Sequence, residues 1–132
     1  MEMGRPYVFR LEENKALVRK GIEALNRRDL TVLDEFMASN YVDHTNELTC
    51  REDVRQLYLR TFEDFPEFQR SIEDIIAEGD KVWVRFRIAG TDFTGKKFES
   101  ESVNIFRMAE GKVVEGWTVP RLVSGEKKFK VT

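Results

Sequence analysis

The sequence predicts an α+β fold in which about three N-terminal helices pack on one face of a curved, mostly antiparallel sheet. In the first half of the chain, apolar residues recur at helical spacing, whereas from Phe68 onward their period is two. The turns of the second half are short and contain glycine, at Gly79, Gly95 and Gly111. Strands joined by such turns are typical of an antiparallel meander.

The length and composition fit one folded domain. The chain has 132 residues, of which 41% are hydrophobic and 11% aromatic, which is too apolar for a disordered protein. We therefore expect a single domain over residues 1–132, with tails at 1–10 and 124–132. Because 22 basic and 24 acidic residues give a net charge of −2, no nucleic-acid partner is expected.

The sequence lacks several features that would place the protein in a membrane or at a metal centre. No apolar segment approaches the roughly 20 residues that span a bilayer, and the N-terminus has no apolar run typical of a signal peptide. We therefore expect a cytoplasmic protein with no membrane partner. One cysteine, Cys50, and one histidine, His44, cannot supply a Cys-rich or His-rich metal site, so no metal is expected.

Three helices are predicted in the first half. The first covers residues 11–28, with apolar residues at Leu11, Val18, Ile22 and Leu25. Asp29 is expected to cap the second, whose apolar stripe is Leu30, Leu33, Phe36 and Met37. Thr49 and Glu52 form a Thr-x-x-Glu capping box at the start of the third helix, and Pro66 ends it.

Four strands are predicted at 68–78, 81–89, 98–108 and 112–122. If Glu110-Gly111 is a two-residue loop, Phe106 pairs with Glu115 and Asn104 with Trp117, since opposed residues share a face. This register predicts an inward face that mixes apolar side chains with the polar residues Ser102, Asn104, Glu115 and Arg121. In the earlier hairpin, Val82, Val84, Phe86 and Ile88 form an inward apolar row, with Glu73 opposite Phe86.

The opposite face of the earlier hairpin carries Trp83, Arg85 and Ile76. Exposed aromatic and aliphatic side chains among paired charges are typical of subunit interfaces. We therefore expect a homodimer formed through this outer face of the sheet.

Two explanations fit the polar side chains of the predicted inward face. They could pair with one another, or they could line a pocket. An apolar pocket would raise the pKa of Glu115 and make it a general acid or base, whereas a pair with Arg121 would keep it ionised. His44 lies in the turn-like segment 40–45 and is either a structural residue or a proton carrier at the pocket edge.

Several short motifs resemble the nuclear transport factor 2-like superfamily and, within it, the SnoaL-like polyketide cyclase group. The similarity covers roughly residues 12–121. It rests on the order and spacing of the opening helix, the pairs Gly90-Thr91 and Phe106-Arg107, and four longer segments. These are Asn26-Arg27-Arg28-Asp29-Leu30, Tyr41-Val42-Asp43-His44, Val82-Trp83-Val84-Arg85-Phe86 and Gly111-Lys112-Val113-Val114-Glu115-Gly116-Trp117. The resemblance implies a cone-shaped roll around a cavity, a dimer, and enzymes that work without metal or organic cofactor.

The chain departs from this group at one functional position. SnoaL-like cyclases follow the Glu-x-Trp motif with a proton-transferring aspartate four residues after the tryptophan, where this chain has Arg121. Arginine stays protonated and cannot serve as a base. The resemblance therefore leaves open whether this protein is an enzyme.

Two functions fit the sequence, one catalytic and one not. The first is a cofactor-independent cyclase, isomerase or hydrolase for a small apolar substrate, in which Glu115 is the acid or base and His44 carries protons. The residues expected to line its pocket and bind the substrate are Tyr41, Asn104, Trp117 and Arg121. The second is a non-catalytic dimeric module that binds a partner protein, or an apolar carboxylic acid through Arg121.

Overall fold

Three helices pack on one face of a five-stranded sheet in the computed structural model, which describes residues 6–122. The helices are α1 Tyr7–Asn26, α2 Val32–Phe36 and α3 Arg51–Asp64. The strands are β1 Met37–Asp43, β2 Gln69–Glu78, β3 Lys81–Thr91, β4 Lys97–Ala109 and β5 Lys112–Leu122. Their order is β1-β5-β4-β3-β2, antiparallel except for the pair β1–β5. The predicted α+β class and the four-stranded meander are confirmed.

Helix α1 begins at Tyr7, four residues before the predicted start at residue 11. Residues 7–10, which were predicted to belong to a tail, are therefore helical, whereas the predicted tail at 124–132 lies outside the described residues. The buried residues of α1 are Val18, Gly21, Ile22, Ala24 and Leu25. Their spacing matches the amphipathic pattern of the sequence.

Two predicted helix caps differ from those observed. Helix α2 starts at Val32, and the Asp29 carboxylate accepts a hydrogen bond from the Thr31 N–H (3.2 Å) instead of capping the helix. The capping box predicted for α3 is wrong, because the helix begins at Arg51 and Asp53 therefore occupies its third position. The Asp53 carboxylate accepts a hydrogen bond from the Thr49 N–H (3.2 Å).

Strand β1 was not predicted, since Met37 was expected in a helix and residues 40–45 in a turn. Its two fully buried residues, Met37 and Tyr41, lie four apart, and an irregularity in its pairing with β5 separates Met37 from Val42. A spacing of four is typical of a helix. The alternation that reveals a strand is therefore absent from this segment.

The register of β4 with β5 differs from the prediction. Met108 pairs with Val113, but Arg107 pairs with Glu115, so Val114 is an extra residue that forms a β-bulge. Beyond the bulge every predicted pair is displaced by one residue, and Asn104 pairs with Thr118. Glu115, Trp117 and Arg121 therefore lie on the outer face, and the prediction that they share the inward face was wrong. A one-residue displacement exchanges the two faces of a strand.

A second bulge changes the face of residues in β2. Ile72 pairs with Phe86 and Asp74 pairs with Arg85, so Glu73 is the extra residue. Glu73 was predicted opposite Phe86, but it lies on the outer face, where its carboxylate accepts a hydrogen bond from Arg87 Nε (3.1 Å). On the N-terminal side of this bulge, the inward and outward positions of β2 are the reverse of those predicted. Arg70 therefore pairs with Ile88 on the inward face.

The core lies between the helices and the inward face of the sheet. Val82, Val84 and Phe86 of the predicted apolar row are fully buried there. The edge of the Phe36 ring from α2 packs against Phe106 of β4, with ring centroids 6.3 Å apart. The remaining buried apolar residues are Val18, Ile22, Ala24, Leu25, Val32, Leu33, Met37, Tyr41, Val54, Met108 and Val113.

Replacing Gly116 tests the close approach of β1 to β5. A side-chain Cβ at Gly116 would overlap the Tyr41 hydroxyl oxygen. We expect Gly116→Ala to lower the free energy of unfolding by about 1–3 kcal/mol, the usual cost of overpacking a core, measured by urea denaturation. Adding Tyr41→Phe, which removes the overlapping oxygen, should restore much of the loss, with Tyr41→Phe alone as the control. A Gly116→Ala protein as stable as the wild type would contradict this packing.

Candidate functional site

A cavity of about 210 Å³ lies between the helices and the inward face of the sheet. Its apolar walls are formed by Ile22, Phe36, Met37, Val54, Leu57, Phe68, Ile88, Phe106 and Pro120. Its polar lining comprises Tyr41, Asp43, Asn46, Tyr58, Thr61, Arg70, Ser102, Asn104 and Thr118. Apolar walls with a few convergent polar groups are typical of small-molecule binding sites.

A larger groove of about 1040 Å³ runs along the surface between α1 and the β2–β3 and β4–β5 turns. Residues that line it include Tyr7, Asn14, Lys20 and Asp80. The groove is open to solvent, and its polar side chains are typical of an ordinary protein surface. The smaller inner cavity is therefore the candidate site.

Arg70 places a positive charge at the inner cavity. Its backbone is held from both sides by the Asn26 side chain, whose amide donates to Arg70 O (2.8 Å) and accepts from Arg70 N (3.1 Å). The guanidinium carbon lies 4.7 Å from the ring centroid of Phe86 and 5.5 Å from that of Tyr58, and the guanidinium donates a hydrogen bond to the Tyr58 hydroxyl. Such ring contacts favour a cation.

Tyr41 presents a phenol group to the same cavity. Its side chain is buried in β1, and its hydroxyl lies against Gly116 of β5. Burial raises the pKa of Tyr41 above that of an ordinary phenol, and the negative charge of Asp43 raises it further. Tyr41 therefore keeps its proton at neutral pH and can donate a hydrogen bond to a ligand.

Asn104 is held in place by neighbours on β4 and β5. Ser102 Oγ donates to Asn104 Oδ1 (2.8 Å), and Asn104 Nδ2 donates to Thr118 Oγ1 (3.1 Å). This network uses one of the two amide hydrogens of Asn104 and leaves the second as a possible donor to a ligand. The sequence predicted Tyr41 and Asn104 as ligand-binding residues, and the structure places both at the cavity.

Three other predicted site residues cluster on the outer face. Glu115 Oε2 lies 2.7 Å from His44 Nε2, and the His44 ring stacks on Trp117 with centroids 4.8 Å apart and planes at 14°. Arg107 Nε donates to the other carboxylate oxygen of Glu115. The structure thus brings Glu115, His44 and Trp117 together, but none of them lines the inner cavity.

The electrostatic surroundings of Glu115 are the opposite of those of an apolar pocket. The hydrogen bond from Arg107 lowers the pKa of Glu115 below its usual range, and the hydrogen bond with His44 lowers it further. The raised pKa that an apolar pocket would cause, and that would suit a general acid, is therefore not observed.

Arg121 also lies on the outer face, where its side chain is 63% exposed. Its guanidinium donates to Glu101 Oε2 (2.8 Å), whereas Glu115 pairs with Arg107. The alternative in which Arg121 pairs with Glu115 is therefore not observed. Arg121 does not line the inner cavity.

The sequence pattern does not reveal Arg70, Tyr58 or Asp43 as site residues. Tyr58 lies within the predicted third helix, where an aromatic residue indicates core packing. The bulge at Glu73 reverses the alternation that would have located Arg70. The adjacent charged residues Glu73 and Asp74 between isoleucines were a signal of this bulge, because regular alternation allows one polar residue between inward positions.

Neither a cluster of metal ligands nor a membrane-spanning helix occurs between residues 6 and 122. This part of the chain contains no group of three or more His, Cys, Asp or Glu side chains arranged to hold a metal ion. None of its helices combines the length and apolar character that crossing a bilayer requires.

Comparison with known proteins identifies a family. The family model for SnoaL-like polyketide cyclases matches residues 15–127 of the chain. No curated protein sequence matches the chain significantly.

Solved structures with the same fold include proteins of related description. AclR from Streptomyces galilaeus, a candidate hydroxylase, is 27% identical with a TM-score of 0.76, over 85% of this chain and 81% of AclR. IdmH from Streptomyces antibioticus, a candidate polyketide cyclase, is 28% identical with a TM-score of 0.73, over 81% of this chain and 91% of IdmH. A candidate SnoaL-like polyketide cyclase from Jannaschia sp. CCS1 is 21% identical with a TM-score of 0.76, over 91% of both chains, and shows similarity of fold.

The lowered pKa of Glu115 predicts a pH dependence of stability. Its contribution is present above the pKa of glutamate in the unfolded chain and is lost as pH falls through the lower folded pKa. Glu115→Gln should lower the free energy of unfolding at neutral pH by up to about 1 kcal/mol, the range for partly exposed ion pairs. Urea denaturation from neutral to acidic pH should show this difference shrinking. A difference that is constant with pH would contradict the ionic role.

Proposed function

Because the chain belongs to the SnoaL-like polyketide cyclase family, we propose that it catalyses a cyclase-type reaction in its inner cavity without a cofactor. The substrate is a small, largely apolar molecule with a carbonyl group. The observation that carries the proposal is the lining of the cavity, where apolar walls surround the donors Tyr41 and Asn104 and the carboxylate of Asp43.

The two donors stabilise charge on the substrate oxygen. A carbonyl oxygen bound by Tyr41 and Asn104 becomes negatively charged when the neighbouring carbon loses a proton. Hydrogen bonds that are already oriented toward that oxygen lower the energy of the enolate. Tyr41 suits this role because burial keeps its hydroxyl protonated.

Asp43 is the carboxylate among the lining residues and is the proposed base. Its Oδ1 accepts hydrogen bonds from the backbone N–H groups of Thr45 (3.0 Å) and Asn46 (2.9 Å). Its Oδ2 accepts one from Asn46 Nδ2 (2.9 Å), so the orientation of the carboxylate is fixed. Asp43 removes the proton next to the carbonyl, and the C–H electron pair forms the enolate. The enolate carbon then attacks an electrophilic carbon of the same substrate, which closes a ring, and the proton returns from Asp43 to the new alkoxide.

The outer cluster of Glu115, His44 and Trp117 has a positioning role in this proposal. The backbone N–H of His44 donates to the backbone carbonyl of Gly116 (2.9 Å). The Glu115 carboxylate holds the His44 ring by a hydrogen bond to Nε2. These contacts fasten the end of β1 to β5. They therefore support Asp43, the residue that precedes His44. The acid–base roles predicted for Glu115 and His44 are replaced by this support.

The outer face also favours a homodimer, as the sequence predicted. Ile76, Trp83, Ile105 and Trp117 are successive partners across four strands and form one apolar row. Trp83 is 44% exposed and Ile76 is 63% exposed. Ion pairs flank the row, including Arg85 with Asp74 at 2.7 Å. A second copy of the chain would cover this row and leave the charged pairs at the rim.

Hydrogen–deuterium exchange tests the reaction without knowledge of the natural substrate. We expect the protein to accelerate exchange of the methyl hydrogens of acetophenone in D₂O, followed by NMR. Tyr41→Phe should slow this exchange at least about tenfold, since it removes one donor to the enolate oxygen, and Asp43→Asn should abolish it. Arg121→Gln, which changes an exposed outer-face residue, is the control. Exchange no faster than in buffer, or unchanged in Asp43→Asn, would refute the proposed chemistry.

Sedimentation velocity tests the dimer. The wild-type protein should sediment as a dimer at micromolar concentration, and Trp83→Glu should sediment as a monomer because it places a charge within the apolar row. Phe93→Glu is a matched control, since Phe93 is 93% exposed and lies outside that row. A monomeric wild-type protein would contradict the proposed interface.

A further inference from the structure

We propose that Arg70 is an anion-binding subsite of the inner cavity and that the substrate is a small oxo acid that closes to a single ring, with a carboxylate bound by Arg70 and a carbonyl bound by Tyr41 and Asn104. The binding of the substrate carbonyl by Tyr41 and Asn104 rests on the proposed function. The binding of the substrate carboxylate by Arg70 rests on separate observations.

Arg70 differs from the arginines of the outer face because it has no carboxylate counter-ion among residues 6–122. Arg85, Arg87, Arg107 and Arg121 each form an ion pair with a carboxylate. Arg70 is half-buried, and no carboxylate within residues 6–122 lies within ion-pair distance of it. A partly buried charge without a counter-ion is unfavourable, so a ligand carboxylate would gain a charge-assisted hydrogen bond there.

The guanidinium is held in a fixed position before any ligand binds. Asn26 holds the Arg70 backbone, and the aromatic rings of Phe86 and Tyr58 lie beside the guanidinium. Phe86 is fully buried, so this side of the subsite rests on the protein core. Fixing a binding group in advance reduces the entropy that is lost when a ligand binds.

The volume of the cavity limits the size of the ligand. An apolar cavity of about 150 Å³ holds one benzene molecule. The inner cavity of about 210 Å³ therefore has room for one ring with small substituents. Three fused rings exceed this volume and do not fit entirely inside the cavity.

The lining of the cavity carries one negative and one positive side chain, Asp43 and Arg70. Asp43 and Arg70 both act on Tyr41, Asp43 raising its pKa and Arg70 lowering it. Tyr41 therefore lies within the fields of both groups. A ligand carboxylate is attracted by Arg70 and repelled by Asp43, which favours an orientation with the carboxylate at Arg70 and the carbonyl at Tyr41.

Matched ring compounds test the subsite by isothermal titration calorimetry. 4-Acetylbenzoate carries a ring, a carbonyl and a carboxylate, whereas 4-acetylbenzamide is its neutral counterpart. The wild-type protein should bind the carboxylate about tenfold more tightly, the difference between charge-assisted and neutral hydrogen bonds. Anthracene-9-carboxylate should not compete with it. Equal affinity for the acid and the amide, or competition by the three-ring acid, would overturn the proposal.

Variants test whether Arg70 causes the preference for 4-acetylbenzoate over 4-acetylbenzamide. Arg70→Gln should remove the tenfold preference, whereas the control Arg121→Gln should keep it. Tyr58→Phe, which retains the ring and removes the hydroxyl that binds Arg70, should reduce the preference and provides a second test if Arg70→Gln does not fold. A preference that is unchanged in Tyr58→Phe and Arg70→Gln, or lost in Arg121→Gln, would refute the assignment to Arg70.

The subsite and the reaction can fail separately. If acetophenone undergoes protein-catalysed exchange but the carboxylate brings no gain in affinity, the subsite is refuted and the reaction stands. If 4-acetylbenzoate binds through Arg70 but neither ketone undergoes exchange, the reaction is refuted and the protein binds an organic acid through Arg70 instead of Arg121.

Discussion

The bulge at Val114 in β5 is the constraint on which the arrangement of the site depends. One extra residue between Val113 and Glu115 reverses the faces of the rest of the strand. Gly116 consequently faces inward and leaves room for the Tyr41 hydroxyl, while Glu115 faces outward. The same feature thus makes space for a phenol in the cavity and provides a carboxylate that holds His44 on the other side of the sheet.

The inner cavity and the outer cluster are therefore parts of one arrangement. Strand β1 carries Tyr41 and Asp43 at the cavity, and its parallel pairing with β5 continues to Gly116. His44 and Thr45 follow β1, and Thr45 Oγ1 accepts a hydrogen bond from the Thr118 N–H (2.8 Å). Contacts outside the cavity thus determine where the polar groups inside it lie, since a single short strand connects the two.

The sequence predicts the parts of the fold that follow regular periods, and it fails where a bulge interrupts them. The row Val82, Val84 and Phe86 alternates without interruption and is buried as predicted. Two adjacent apolar residues at Val113-Val114 and two adjacent charged residues at Glu73-Asp74 mark the bulges, yet neither pair shows which residue is the extra one. That choice depends on packing against the helices and cannot be counted along the chain.

Chemical-shift mapping tests whether the ligand binds in the inner cavity or at the outer cluster. The backbone and side-chain NMR signals of the protein would be followed during titration with 4-acetylbenzoate. The largest changes should occur at Tyr41, Tyr58, Arg70 and Asn104, which come from four separate elements that converge on the cavity. Changes confined to the outer cluster of Glu115, His44 and Trp117 would contradict binding in the cavity.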